Sequence, residues 1–204
     1  MLEAQPLDAT EHTSLPWRIH EVTKDFRLLD VWALPTPGGP DEFPRLLELW
    51  STFDPGRRSL LVRALFAMRW SLGKMFGLDR LETGLGGRVT TLRDRLSADL
   101  RQRPTELVRA NSGFVPLYVT ADEFAMEIAN RTVHGVLHVG WVADDAGGHR
   151  GQMAVLVRPN GVLGNAYLAA IAPFRHLIVY PLMLRDIGHA WAERPSAPSQ
   201  PGSL

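Results

Sequence analysis

Residues 132–142 and 150–157 read as two long apolar strands joined by a turn, and this pair most limits the folds open to the chain. "TVHGVLHVGWV" holds four valines, two glycines and a tryptophan in eleven residues, a composition that favours a strand over a helix. "RGQMAVLV" answers it, and "ADDAGGH" between them has the composition of a hairpin turn. Side chains alternate between faces along a strand. The odd positions Val133, Leu137, Val139, Trp141, Met153, Val155 and Val157 are apolar apart from Gly135. The even positions carry His134, His138, Gln152 and Arg158, with Val136, Ala154 and Leu156 between them. Patterning therefore turns the odd face inward and leaves the histidines partly exposed on the more polar face. If another element or a partner subunit covers that face, an imidazole there can act as an acid, a base or a ligand donor near neutral pH.

The same geometry argues against a metal. On a helix, residues four apart converge, but on a strand His134 and His138 lie about 13 Å apart, too far for one ion to bridge. No HExxH pattern and no acidic third ligand accompany them, so no metal site is expected.

Further strands are expected at "VPLYVT" and "EFAMEIA", and "WRIHEVTKDFRLLDVWALP" reads as extended. In the last, Phe26, Leu28, Asp30 and Trp32 fall on one face and Arg27, Leu29 and Val31 on the other. A short helix is expected from Asp41 or Glu42 through Trp50, with Pro44 in its first turn. A longer one, capped near Ser59 and stopped by Gly77, gathers Leu61, Leu65, Met68, Leu72, Met75 and Phe76 on one side. Arg63, Lys74 and Trp70 lie opposite, and Arg69 sits at the margin, either snorkelling or paired with a carboxylate such as Asp30 or Glu127. "ETGLGGR" at 82–88 lacks the spacing of a phosphate-binding loop. "TLRDRLSADLRQRP" reads as a helix or structured loop with a solvated face.

The last element runs from about Leu163 to Trp191 and is nearly long and apolar enough to span a membrane. Arg175 and His176 at its middle are costly in lipid, and Pro173 and Pro181 each remove a helical hydrogen bond. A long, kinked helix buried against a sheet, with no membrane span, is the better reading.

The totals fit one domain. The chain has 204 residues, equal numbers of acidic and basic side chains and no cysteine. Zero net charge gives no general attraction to nucleic acid, and the absence of cysteine excludes disulfides, thiolate catalysis and cysteine zinc sites. A cytoplasmic location is the natural expectation, since no leader-like segment opens the chain. The expected organisation is a flexible N-terminus at 1–14, a single domain at 15–194 and a disordered Pro/Ser-rich tail at 195–204.

"ANRTVHGVLHVGWV", "RGQMAVLVRPNG" and above all "NAYLAAIAPFRHLIVYPLMLRDI" resemble an uncharacterised bacterial family of unknown function, common in actinobacteria. Its members carry a related C-terminal segment with "PFH" where this chain has Arg175 followed by His176. That family in turn resembles the START-like, polyketide-cyclase-like helix-grip superfamily. The resemblance implies an α+β fold, with a curved antiparallel sheet wrapped around a long C-terminal helix and two additional helices. It also implies an interior cavity for an apolar ligand, but no particular reaction.

The leading expectation is thus a protein that binds a small apolar, lipid-like or polyketide-like molecule between sheet and helix. The expected lining is Trp32, Arg69, Met126, Leu137, Trp141, Met153, Tyr167, Ile171 and Phe174, with Asp30, Arg69, Glu127 and Tyr167 to orient the ligand. Plain core packing is the competing explanation of the same residues. The alternative is a cofactor-independent cyclase, isomerase or dehydratase of secondary metabolism. Its acid–base groups come from His134, His138, Glu127 and Asp30, because no nucleophile or cofactor motif is present. A third reading is a peripheral interaction module using Phe66 and Trp70 beside Arg63 and Lys74, where contact in a homodimer explains an exposed tryptophan most simply.

Overall fold

The computed structural model describes residues 5–52, 89–103, 105, 114–130 and 132–194. In chain order the elements are β1 (Gln5–Pro6), α1 (Thr10–Thr13), α2 (Ile19–Val22), β2 (Arg27–Ala33), α3 (Phe43–Thr52), a 3-10 turn (Leu92–Arg95) and α4 (Ala98–Arg101). Strands β3 (Val115–Val119), β4 (Glu123–Ala129), β5 (Val133–Ala143) and β6 (His149–Pro159) follow. The chain then enters α5 (Gly161–Phe174), a π-turn (Arg175–Val179) and α6 (Tyr180–Ala192). The six strands form one antiparallel sheet in the order β1-β2-β6-β5-β4-β3. The fold is the expected α+β arrangement of an antiparallel sheet backed by a long C-terminal helix.

The division into odd and even faces holds, but both faces are buried. On one side Trp32, Met126, Val139, Trp141 and Met153 pack with Leu46 and Trp50 of α3 and with Leu184, Ile187 and Trp191 of α6. On the other, Ala125, Val136, Ala154 and Leu156 pack with Trp17, Ile19 and Val22 from the N-terminal segment and with Leu92, Leu96 and Leu100. His134 and His138 lie on this second face and are fully buried, not partly exposed. The patterning missed this because the cover consists of short, irregular pieces without a helical apolar stripe of their own.

The N-terminal part of that cover begins earlier than expected. Gln5 and Pro6 pair with Ala33 and Trp32, and His12 is fully buried, so residues 5–14 are built into the fold. The Trp17 ring packs against the sheet where β5 carries Gly140. A Cβ added at Gly140 stands 2.5 Å from the Trp17 ring, so only glycine leaves room for it. Within "WRIHEVTKDF", residues 19–22 form α2 in place of extended chain. In β2 a bulge between Leu28 and Asp30 breaks the expected alternation. Leu28 and Phe26 consequently pack on the N-terminal side, while Asp30 contacts the C-terminal helix on the other.

Helix α3 forms as expected with Pro44 in its first turn, where the missing N–H costs nothing. Arg45 ties it to α6, stacking 3.8 Å above Trp191 and donating to the Trp191 carbonyl. The helix expected at 59–77, with Arg63, Phe66, Arg69, Trp70 and Lys74, and the glycine-rich stretch at 82–88 lie outside the described residues. "TLRDRLSADL" resolves into the 3-10 turn and α4.

The C-terminal helix is continuous from Gly161 to Ala192, and the two prolines are absorbed by the π-turn lying between them. Its burial is uneven. In α6, Tyr180, Leu184, Ile187 and Trp191 are buried. In α5 only Gly164 and Leu168 are, and Val162 and, in the π-turn, Leu177 are 87% and 77% exposed. The sheet therefore holds the helix mainly by its second half, contrary to the expectation of burial throughout. By length and composition alone the helix is able to cross a membrane.

The Gly140–Trp17 contact predicts a local cost. Gly140→Ala should destabilise the fold by about 2 kcal/mol in urea denaturation, because the indole must leave its seat. Gly39→Ala, which meets nothing within 4 Å, should leave the midpoint unchanged.

Candidate functional site

The four residues expected to do acid–base work fall into three separate clusters. Two of these arise from one repeat in the sheet. Glu123 and Glu127 are four residues apart on β4, His138 and His134 four apart on β5, and antiparallel register brings them together diagonally. His134 Nε2 lies 2.8 Å from Glu127, and His138 Nε2 lies 2.6 Å from Glu123. An ionised carboxylate only accepts, so in each pair the imidazole N–H donates.

Each carboxylate also secures a covering segment. Glu127 accepts from the Thr91 hydroxyl and from the Leu92 backbone N–H at 3.1 Å. Glu123 accepts from the Arg18 backbone N–H at 2.8 Å and from the Tyr118 hydroxyl at 3.2 Å. Burial first, then the neighbouring Glu123 charge, pushes the Tyr118 hydroxyl well above its ordinary pKa.

The Glu123 pair extends to a third side chain. With its Nε2–H given to Glu123, a neutral His138 offers Nδ1 as an acceptor, and His12 Nε2 lies 3.0 Å from it. His12 therefore donates, and its own Nδ1 is left buried without a partner. Loss of hydration, with His138 and His20 adding repulsion, lowers the His12 pKa to about 3. Burial also lowers that of His138, against the opposing pull of Glu123.

The third cluster is on the other face of the sheet. The β2 bulge turns Asp30 toward the π-turn, and the two backbone irregularities meet there. Asp30 accepts from the Tyr180 hydroxyl at 2.7 Å. It forms an ion pair with Arg175 Nε at 2.9 Å, and His176 Nε2 lies 3.0 Å from it. Asp30 and Tyr180 are buried, whereas the His176 side chain is 44% exposed, so this cluster reaches solvent. Burial, then the Asp30 charge, raises the Tyr180 pKa. Trp32 stacks on Tyr180 with ring centroids 5.0 Å apart.

The expected ligand lining also divides. Trp32, Met126, Leu137, Trp141 and Met153 come together, but as core packed against α3 and α6. Tyr167, Ile171 and Phe174 are half-buried on the helix and do not join that core. Glu127 points to the opposite face from all of them, and Arg69 lies outside the described residues. The sequence reading missed Glu123, His12 and Tyr118, and it did not recognise Arg175, His176 and Tyr180 as partners of Asp30. The matching four-residue spacings in neighbouring strands were a signal for Glu123. Nothing local connects His12 or Tyr180 to its partner. Among the described residues no group of three histidine or acidic side chains is placed to hold a metal ion.

The lowered His12 pKa has a signed consequence. The unfolded chain takes up this proton near pH 6.5 and the folded protein only near 3. The stabilisation is thus complete above pH 6.5 and is lost as the pH falls toward 3, at up to about 1.4 kcal/mol per pH unit. His12→Gln keeps a donor near His138 but does not titrate, and its urea-denaturation stability should fall less steeply across that window.

No curated protein and no solved structure gives a significant match to the chain. The family model described as "Protein of unknown function (DUF2867)" matches residues 22–182, from α2 into α6, and so takes in the Asp30 cluster and both Glu–His pairs; the chain belongs to this family.

Proposed function

We propose that the protein binds a small apolar molecule with a polar end at the junction of β2 and the C-terminal helix. The observation that carries this reading is the Asp30 cluster: a buried carboxylate held by three groups from one turn and a half of helix, with His176 open to solvent. Buried charge of this kind is costly unless it is fully paired, and bulges and π-turns recur beside functional sites. The half-buried Tyr167, Ile171 and Phe174 and the exposed Leu177 supply an apolar path along the helix toward it. The resemblance to START-like and polyketide-cyclase-like proteins supports a lipid-like or polyketide-like ligand in a cytoplasmic binding protein. Plain packing accounts for Trp141 and Met153, so the ligand contacts move from the sheet centre to the helix.

Native mass spectrometry of protein purified from its own host tests this. The expected result is a retained apolar molecule that is lost in Ile171→Glu. Repeated recovery of unliganded protein, together with no saturable binding of a fluorescent fatty acid, overturns it.

A second reading, cofactor-independent acid–base chemistry, is favoured by one observation. Asp30 holds His176 through Nε2, which leaves Nδ1 as a base oriented by a carboxylate, with the Tyr180 hydroxyl nearby. Such a group would remove a proton next to a carbonyl. Wild-type protein should then speed hydrogen–deuterium exchange of an enolisable polyketone, and His176→Gln should lose at least about tenfold of that rate. Equal rates for the two proteins reject the reading.

A further inference from the structure

A cleft of about 660 Å³ lies on the face of the sheet away from the C-terminal helix, between the segment 11–18 and the ends of β4, β5 and β6. Leu15, Trp17, Arg103, Glu123, Arg150 and Gln152 are among its walls. None of the residues discussed at the β2–helix junction contributes to it.

Three polar atoms of this wall lack partners. Trp17 Nε1 and Arg150 Nη1 are donors, Gln152 Oε1 is an acceptor, and all three are buried without a hydrogen bond among the described residues. Gln152 is only 1% exposed, and its amide nitrogen already donates to the Glu11 carbonyl. Buried polar groups are nearly always satisfied, so three orphans around one cleft call for a reason. They are also close together. Trp17 lies on Gly140, the direct cross-strand neighbour of Gln152. Arg150 is two residues along β6 on the same face, about 7 Å away.

The charges around the cleft divide in a useful way. Arg18 is committed to Glu21 and Asp99, and Glu123 to His138 and the Arg18 N–H. Among the described residues, Arg103 and Arg150 form no ion pair. The cleft thus asks for an acceptor at Trp17, a donor at Gln152 and an anion at Arg150. An amide supplies the first two from the oxygen and the N–H on one carbon, and a carboxylate one or two bonds beyond supplies the third.

We propose that this cleft binds a small molecule in which an amide is joined to a carboxylate, as in an N-acylated amino acid or the end of a peptide chain. The three orphan atoms lie just behind the present wall, so entry lifts residues 11–18 from the sheet. That segment is held there by the Arg18 N–H on Glu123 and by His12 on His138. Its seam with the sheet is the one that carries the unpaired Trp17 and Gln152 atoms, which makes it easier to part than an apolar seam.

The test is an NMR titration of the full-length, nitrogen-15-labelled chain with N-acetylglycine. The Trp17 indole N–H is assigned from Trp17→Phe. A saturable downfield shift of that resonance, larger than that of any other indole including Trp141 at the cleft wall, is expected. Acetate and N-methylacetamide each carry half of the recognised group and should bind at least about tenfold more weakly, as should N-acetylglycine to Arg150→Gln. Unchanged indole positions in the free Arg150→Gln protein show that it is folded. Tetra-alanine with a free or an amidated C-terminus separates the two sources: tighter binding of the free form than of N-acetylglycine favours a chain end, and the reverse favours a free small molecule. No saturable Trp17 shift with either compound, or an equal response to acetate, overturns the proposal.

Discussion

Glu123 and Glu127 point from β4 into a covered face of the sheet where both side chains are buried, and each is met by a histidine from β5. A carboxylate in that position is tolerable only when several donors surround it. The histidines provide one donor each, and the rest come from the segments that cover the face: the Arg18 N–H over Glu123, and the Thr91 hydroxyl and Leu92 N–H over Glu127. Short covering pieces, whose Trp17, Ile19, Leu92 and Leu100 pack on the sheet, are in this way also held by directional bonds to the buried carboxyl groups. Removing either carboxylate leaves donors unsatisfied on both sides of the seam, so the two pairs determine which segments lie over this face and in what register.

The opposite face is organised differently. There α3 and α6 bury large apolar side chains against the sheet, and polar contacts serve mainly at the edges, as where the Trp191 indole donates to the Pro37 carbonyl. Asp30 is delivered by a bulge to a π-turn whose side chains surround it. Before that turn, α5 carries apolar side chains that are largely uncovered among the described residues. Buried charge, a half-open histidine and an apolar helix surface thus occur within a few turns of one another. That combination suits a ligand with one polar end better than it suits either a plain core or a solvated surface.

Membership in a family defined by sequence alone brings no reaction with it. The matched residues do include all three acid–base clusters, while His12 and Trp17 precede them. The β2–helix junction is therefore built from residues inside the matched segment. The cleft draws one wall from residues 11–18, which lie outside it.

The β5–β6 hairpin and its face assignment were legible because alternation in a half-apolar strand leaves little freedom: Val139, Trp141 and Met153 belong on one side and His134, His138 and Gln152 on the other. Helix α3 and the hairpin at 143–149 were legible from Pro44 and from the Gly- and Asp-rich turn for equally local reasons. The Leu29 bulge was not, since one inserted residue reverses every later side chain without changing composition. Nor was the burial of His134 and His138, which depends on residues 5–22 and 91–100 folding over them from far along the chain. The sequence by itself determined the β5–β6 hairpin and which of its side chains share each face, because strand periodicity is a local property. Only tertiary structure decided that both faces are closed and that Asp30 meets Arg175, His176 and Tyr180, because those contacts join segments about 150 residues apart, and no short-range pattern encodes such a meeting.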